Sequence, residues 1–322
     1  MSTMKLLIVT QAIDINDPVL GFFCRWVEEF ARATRSLGEV GKHTEHVEVI
    51  CLKLGKFNFP KNVRVHSLGK EKLKIENGKL KILSRLRYAW RFLSIVWRLR
   101  HDYDAVFVHM NPEYVILGGP LWRLLGKRVT LWYTHKSVNA KLRLAAFFSD
   151  VIFTASKESF RLENKKVRVM GHGIDTDFFC PDPSVARGDW LLSVGRLMPS
   201  KRHDLAIQRA VQEGRVLRIA GEGPERAHLE ALAHTRGATV QFLGALSQAQ
   251  LRDEYRTAAY LIHTSETGSL DKVVLEALAC GLPVRTNDPA LKSLENEGPQ
   301  YIREHHSLQR LIPAILGIMR SI

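Results

Sequence analysis

No run of eighteen apolar residues occurs anywhere in this 322-residue chain, so nothing in it reads as a membrane-spanning helix. Cysteine is scarce: Cys24, Cys51, Cys180 and Cys280 lie far apart, without the close spacing of metal sites or redox pairs. They read as reduced, buried thiols of a cytoplasmic protein. Repeats and low-complexity tracts are missing, and Met1–Thr10 lacks the pattern of a signal peptide and reads as a first strand. Acidic residues are absent from the whole of Lys79–Arg100, a stretch that holds seven cations.

What is present is a globular composition. A 45% apolar fraction over this length fits two α/β domains of ordinary size. The charge is lopsided: residues 1–180 hold 30 Lys/Arg against 17 Asp/Glu, and residues 181–322 hold 17 against 16. Nearly all of the net +14 therefore lies in the first half, which implies an anionic partner surface there.

Short runs of Val, Ile, Leu and Phe recur with helical stretches between them. Strands are expected at Lys5–Thr10, Val47–Leu52, Val63–Ser67, Ala105–His109, Val129–Tyr133, Val151–Thr154 and Val167–Met170. Helices are expected near Gly21–Leu37, Lys79–Leu99 and Pro120–Leu125. The strands are apolar on both faces, as a parallel sheet covered by helices demands, and the alternation is that of a doubly wound α/β fold. Cys180-Pro-Asp-Pro-Ser reads as a linker, after which the alternation resumes. In the second half, strands are expected at Trp190–Val194, Val216–Ala220, Thr239–Leu243 and Ala259–His263, and a last helix at Leu308–Met319. Two domains result, 1–180 and 185–305, with a C-terminal helix in 306–322 that packs back on the first.

Three blocks in the second half carry chemistry. The first, Ser265–Val284, is a polar loop feeding an apolar helix that bears one acid, Glu276, and stops at Cys280-Gly281. Unpaired N–H groups at such a helix start suit an anion, and Glu276 reaches a sugar hydroxyl from farther along. In the second block, Gly195-Arg-Leu-Met-Pro-Ser-Lys201, a tight loop leaves a strand with two cations five residues apart, a pattern that compensates a diphosphate. The third, Gly221-Glu-Gly223-Pro, is a glycine-rich turn that lets backbone approach a ligand, or is an ordinary strand–turn–helix.

Together these blocks resemble the family 4 retaining glycosyltransferases (glycosyl transferases group 1, GT-B fold), whose signature reads Glu-Gly-Phe-Gly-x4-Glu-Ala-x-Ala-Cys-Gly-x-Pro-Val. The resemblance implies two Rossmann-like domains facing across a cleft, with the acceptor held by the first and a nucleotide sugar by the second. It implies that Arg196 and Lys201 hold the donor pyrophosphate and that Glu276 holds the ribose. Gly195, Gly221, Gly223, Leu243, Gly268, Ser269, Leu270 and Asp271 complete the donor side. His135, at a strand end, lies near the anomeric carbon and is counted with Arg196 and Lys201 as catalytic. Asp14, Gly21 and His109 are the acceptor candidates, with a turn role for Asp14 equally open. Gly171-His-Gly-Ile-Asp175 matches the family's hinge segment with His172 replacing Asn. The chain departs from the signature where its first Glu falls on Gly268, so Glu266, Asp271 or a backbone group takes that place.

The implied reaction is hexosyl transfer from a UDP-, GDP- or ADP-sugar to an acceptor hydroxyl with retention, without cofactor or metal. Asp175-Thr-Asp177 reads as a structural turn, and no convincing pair of carboxylates for a covalent intermediate is evident. The basic stretch Lys79–Arg100 places Leu83, Leu86, Trp90, Leu93 and Trp97 on one helical face, which suits an anionic bilayer or a helix packed on the sheet by that stripe. A lipid-linked or saccharide acceptor follows, in cell-surface polysaccharide or glycolipid synthesis, with the protein peripheral on the inner membrane face. Nucleic acid is excluded as a partner, because no nucleic-acid-binding signature accompanies the charge. Two other readings stay open: a sugar-nucleotide epimerase or hydrolase on the same fold, and a catalytically lapsed nucleotide-binding protein.

Overall fold

The computed structural model describes residues 4–17, 19–36, 46–72, 78–265 and 270–322. It divides into two compact units. One ends at Gly171 and takes up Arg310–Ile322 as well, and the other is His172–Gln309.

The first unit alternates strands and helices: β1 (Leu6–Ile13), α1 (Phe22–Ser36), β2 (Val47–Leu54), β3 (Val63–Ser67), α2 (Gly78–Arg98), β4 (Ala105–His109), α3 (Pro112–Leu124), β5 (Arg128–Trp132), α4 (Ala140–Phe148), β6 (Val151–Thr154) and β7 (Val167–Val169). All seven strands are parallel, in the order β3-β2-β1-β4-β5-β6-β7. Every position of β4 and β6 is buried, which is why these strands carry apolar residues on both faces. The order reverses between β1 and β4, so the loops leaving those two strands diverge.

Three features of this unit differ from the sequence-based expectation. Helix α3 begins at Pro112 rather than Pro120. Pro112 occupies the first turn, where its missing N–H costs nothing, and Gly118-Gly119 leave room for Trp122 and Phe148 rather than ending the helix. Helix α4 was not expected; it is short and is started by Asn139, whose side chain accepts from Leu142 N at 2.9 Å. The third difference concerns α2. It packs through Phe92, Ile95, Val96 and Leu99 onto Tyr103, Val106 and Trp122. Of the expected stripe Leu93 packs against that core, whereas Leu86, Trp90 and Trp97 are turned outward, 63%, 72% and 51% exposed. The Leu83 side chain lies outside the described residues.

The second unit contains β8 (Leu191–Val194), α5 (His203–Glu213), β9 (Leu217–Ala220), α6 (Arg226–Thr235), β10 (Val240–Gly244), α7 (Gln248–Thr257), β11 (Tyr260–His263), α8 (Lys272–Ala279), β12 (Val284–Thr286) and α9 (Pro299–His305). A last helix, α10 (Leu308–Ser321), starts in this unit and continues into the segment grouped with the first. The sheet is again all parallel, ordered β10-β9-β8-β11-β12, with its reversal between β8 and β11. Strand β12 escaped the sequence reading because three residues carry no periodicity.

His172–Cys180 group with the second unit, nine residues ahead of the expected boundary at 180. The cause is local bonding: Ile174 N donates to His306 O at 2.8 Å, and Asp175 Oδ1 accepts from Asp177 N, Phe178 N and Gln309 Nε2. The Asp175 carboxylate is thereby spent on a turn.

Replacing Phe92 by Ala removes a fully buried ring and should cost about 3–5 kcal/mol. Trp90→Ala should change stability by no more than about 0.5 kcal/mol. Chemical denaturation of the two variants checks which face of α2 carries the fold.

Candidate functional site

In parallel α/β sheets the carboxyl ends of the strands lie along one edge, and ligands bind where strand order reverses. In the second unit that point is β8/β11, and both loops leaving it carry the expected site residues. Gly195 follows β8 with φ 155, and the loop continues through Arg196 into a single 3-10 turn, Pro199–Lys201. The turn after β9 presses against it: Leu197 N donates to Glu222 O at 3.0 Å and Glu225 N to Leu197 O at 3.1 Å. A Cβ on Gly221 (φ 147) would overlap the Gly195 carbonyl, and one on Gly223 would overlap that of Leu197. These glycines are therefore required by the close approach of two loops, whatever else they touch. Leu243, half-buried near the end of β10, belongs to the strand whose Gly244 O receives the Gly221 N–H at 2.8 Å.

The two loops of the reversal are joined by charge. Lys201 Nζ lies 2.6 Å from Asp271 Oδ2, and His263 Nε2 lies 3.3 Å from the same oxygen. His263, at the end of β11, is 4% exposed and has its Nδ1 2.9 Å from Thr286 Oγ1 on β12. Asp288 N donates to that Oγ1 at 3.0 Å, so the Thr286 hydroxyl is free to donate to Nδ1, leaving the Nε2 proton for Asp271. Burial alone would raise the Asp271 carboxyl, but the His263 hydrogen bond and the Lys201 charge outweigh it and hold the group well below the carboxylate range. The main chain is tied as well: Thr264 Oγ1 donates to Lys201 O at 2.9 Å. Arg196 is exposed, and among the described residues its guanidinium has no partner.

Asp271 immediately precedes α8, and Glu276 lies one and a half turns inside that helix. Glu276 is 4% exposed, with Lys272 Nζ 3.2 Å from Oε1 and Tyr255 OH donating to Oε2 at 3.4 Å. Burial, with the Glu276 charge beside it, pushes the Tyr255 hydroxyl well above its ordinary range, so it stays a donor. Leu270 O accepts from His172 Nε2 at 3.0 Å, and burial pushes that imidazole down to about 4. Gly268 and Ser269 lie outside the described residues, as does Glu266. The structure thus brings Lys201, Asp271, Leu270 and Glu276 to one end of one sheet.

Sequence reasoning did not select His263, Tyr255 or Lys272. Each acts on a selected residue rather than standing in a motif, and only Lys272, four residues before Glu276, left a signal in the spacing.

In the first unit His135 is exposed beyond β5. Its Nδ1 accepts from Ser137 N at 3.3 Å and lies 2.8 Å from Ser137 Oγ, which leaves Nε2 as the protonated nitrogen. The loop before it is anchored by Met110, a non-glycine residue at φ 62 whose sulfur accepts from Thr134 N and Oγ1. Asp14 Oδ1 accepts from Asn16 N at 3.1 Å and Lys56 N at 3.3 Å, the turn role that was left open. Gly21 has no room for a side chain, since a Cβ would meet Asp17 O at 2.6 Å. His109 is inside the unit rather than on its surface: it is 2% exposed and stacks on Phe23 at 4.0 Å.

Because Asp271 titrates lower in the fold than in the unfolded chain, its contribution to stability is fully present above the unfolded value of about 3.9 and fades as pH falls below it. Asp271→Asn should flatten the loss of thermal stability of the intact protein between about pH 4 and pH 2. An acid limb as steep as that of the parent protein would show that the ion pair carries no stability. Gly221→Ala should cost more than about 2 kcal/mol, read from denaturant midpoints.

Residues 184–300 match the family model described as glycosyl transferases group 1. Over 192 residues the chain is 30% identical to a GDP-mannose-dependent alpha-mannosyltransferase of Mycobacterium tuberculosis (strain CDC 1551 / Oshkosh), covering 56% of this chain and 46% of that protein. Over 144 residues it is 33% identical to a D-inositol 3-phosphate glycosyltransferase of Frankia alni (strain DSM 45986 / CECT 9034 / ACN14a), covering 37% and 35%. The chain spans less than half the length of these curated relatives. In fold it is similar to Anabaena Alr3699/HepE in complex with UDP, with a TM-score of 0.62 at 15% identity over 97% of this chain and 94% of that one. Its two parallel sheets have the GT-B architecture, and the likeness to the glycosyl transferases group 1 lies in its second unit, over residues 184–300.

Proposed function

We propose that this protein is a retaining, metal-independent glycosyltransferase that moves a hexosyl group from a nucleoside diphosphate sugar to an acceptor hydroxyl. The observation that carries the reading is the Lys201–Asp271 pair across the β8/β11 reversal, with Arg196, exposed and without a partner among the described residues, on the same loop. Two cations at the carboxyl edge of a parallel sheet, beside a helix start, suit a diphosphate. Support also comes from the relatives, one named for GDP-mannose and one similar structure bound to UDP.

In this reading Arg196 and Lys201 hold the pyrophosphate, Asp271 and His263 fix the Lys201 ammonium, and Glu276, oriented by Lys272 and Tyr255, accepts from the ribose hydroxyls. As the bond from the anomeric carbon to the β-phosphate oxygen breaks, the negative charge on that oxygen is met by Arg196 and Lys201, which supply what a metal ion supplies elsewhere. The acceptor oxygen bonds the anomeric carbon on the face the phosphate leaves, and its proton passes to the departing phosphate oxygen. Retention follows without a carboxylate nucleophile. His135, with Nε2 protonated, serves as a donor to the transferred sugar, and Asp14 and Gly21 border the acceptor.

The acceptor is lipid-linked or a saccharide, and the protein works at an anionic membrane surface. Among the described residues no helix is long and apolar enough to cross a membrane. What supports surface contact is the exposed Leu86, Trp90 and Trp97 face of α2, flanked by Arg85, Arg87 and Arg98.

Incubation with UDP-, GDP- and ADP-sugars plus a membrane lipid extract should give a glycosylated product, unaffected by a metal chelator. Lys201→Ala should lower kcat by about 10²–10³ with the fold retained, and Glu276→Gln should raise the donor KM. Full activity in both variants removes the donor assignment, and donor conversion without any acceptor product favours an epimerase or hydrolase. Changing Arg85, Arg87 and Arg98 together to Glu should release the protein from anionic vesicles; unchanged binding would make α2 ordinary structure.

A further inference from the structure

The first sheet has its own reversal point, between β1 and β4, and a cavity of about 810 Å³ lies there. Two polar side chains mark the reversal, Gln11 on β1 and Asn111 just beyond β4. Gln11 Nε2 donates to Asn111 Oδ1 at 2.7 Å, and Asn111 Nδ2 donates to His109 O at 2.9 Å. Much of the remaining lining is apolar and comes from separate helices: Ala89 and Phe92 on α2, Ile116 and Leu117 on α3, and Leu144 on α4. The apolar surface continues outward, because Leu86, Leu117 and Leu144 line the cavity and are still 63%, 38% and 45% exposed. A cavity of this size with an uncovered apolar mouth is a ligand site rather than a packing fault.

Its charges narrow the ligand. Arg85, Lys141 and Glu113 line it, and Lys141 Nζ is 3.0 Å from Glu113 Oε1, so those two compensate each other. Arg85 is exposed, and among the described residues its guanidinium has no partner. One uncompensated cation beside an apolar hollow suits an anion that carries a hydrocarbon chain. A saccharide fits less well: Gln11 bonds Asn111 and Lys141 bonds Glu113, which leaves chiefly Arg85 and the Tyr88 and Tyr114 hydroxyls for its many hydroxyls, and every unpaired hydroxyl would keep its desolvation cost.

We propose that this cavity holds the alkyl chain of an anionic amphiphile whose head-group charge lies at Arg85, and that this amphiphile is the acceptor lipid. Only the second clause rests on the glycosyltransferase reading. The chain enters through the mouth formed by Leu86, Leu117 and Leu144, beside the exposed Trp90 of the same helix.

Titrating the intact protein with dodecyl phosphate below its micelle concentration tests the first clause. One saturable site is expected, with no measurable binding of inorganic phosphate at the same concentrations. Ala89→Trp fills the hollow from α2 and should weaken dodecyl phosphate at least tenfold, and Leu117→Trp, from α3, gives a second blocked form should the first fail to fold. Arg85→Gln should weaken dodecyl phosphate several-fold and leave the uncharged dodecyl maltoside unchanged. Affinity that survives in a folded blocked variant, or equal binding of inorganic phosphate, overturns the cavity assignment. Anionic phosphatidylglycerol vesicles separate the membrane surface from the cavity: a blocked variant should still bind vesicles while losing dodecyl phosphate, and loss of both together overturns the proposal. For the second clause, dodecyl phosphate should raise the acceptor KM in the lipid-extract assay and leave the donor KM alone; absence of competition overturns it. Full activity in Lys201→Ala would instead sink the donor reading and leave the dodecyl phosphate result standing.

Discussion

A carboxylate with only 16% of its surface in water cannot stay ionised without partners, and Asp271 has two, Lys201 and His263. That demand organises the second unit. Lys201 comes from the loop after β8 and His263 from the end of β11, so satisfying one oxygen pins together the two loops that diverge at the strand-order reversal. Thr286 on β12 orients His263, and Thr264 holds the Lys201 carbonyl, so the constraint reaches both the neighbouring strand and the main chain. The glycines at 195, 221 and 223 serve the same end from the other side, by letting the β8 and β9 loops approach more closely than any side chain permits. The result is a loop whose Lys201 is held through both its ammonium and its main-chain carbonyl.

Asp271 also explains a departure from the family signature. Where the signature has its second glycine, this chain has an acid, and where the signature has its first glutamate it has Gly268. A glycine at 271 offers only backbone; the aspartate adds a charge that must be balanced, and the balance falls on Lys201. Lys272 does the same for Glu276 one turn later. Lys201 and Glu276 are therefore both paired in this structure, and an anion arriving at this loop would have to compete with Asp271 for the ammonium.

Much of this was legible in the sequence, for a physical reason. Strands buried on both faces read as unbroken apolar runs, and loops that need positive φ or close approach read as glycine, so both sheets and the Gly195 and Gly221 turns stand out. Elements defined by packing alone were not legible. Helix α4 and strand β12 are too short for periodicity, and Gly118-Gly119 look like a stop until Trp122 and Phe148 fill the space above them. The α2 stripe was identified, but two apolar faces compete on that helix, and only the fold decides that Phe92, Ile95 and Val96 go inward. His263 was invisible because its role runs through Asp271: a histidine closing an apolar strand looks like core until its two neighbours are known.

The two reversal points carry opposite chemistry. At β8/β11 the loops are joined by an ion pair and a chain of hydrogen bonds, and the adjoining Arg196 is exposed. At β1/β4 an amide–amide bond joins Gln11 to Asn111, and much of what surrounds it is hydrocarbon. A sheet edge of the first kind recognises charge and pays little for apolar contact, whereas one of the second kind rewards removal of apolar area from water. The composition follows the same division. The nearly neutral second half keeps its acids next to its cations, while the first half carries part of its excess cations on α2, whose Leu86, Trp90 and Trp97 are exposed. The two sheets thus divide the chemistry between them, with paired charge at one reversal and hydrocarbon at the other.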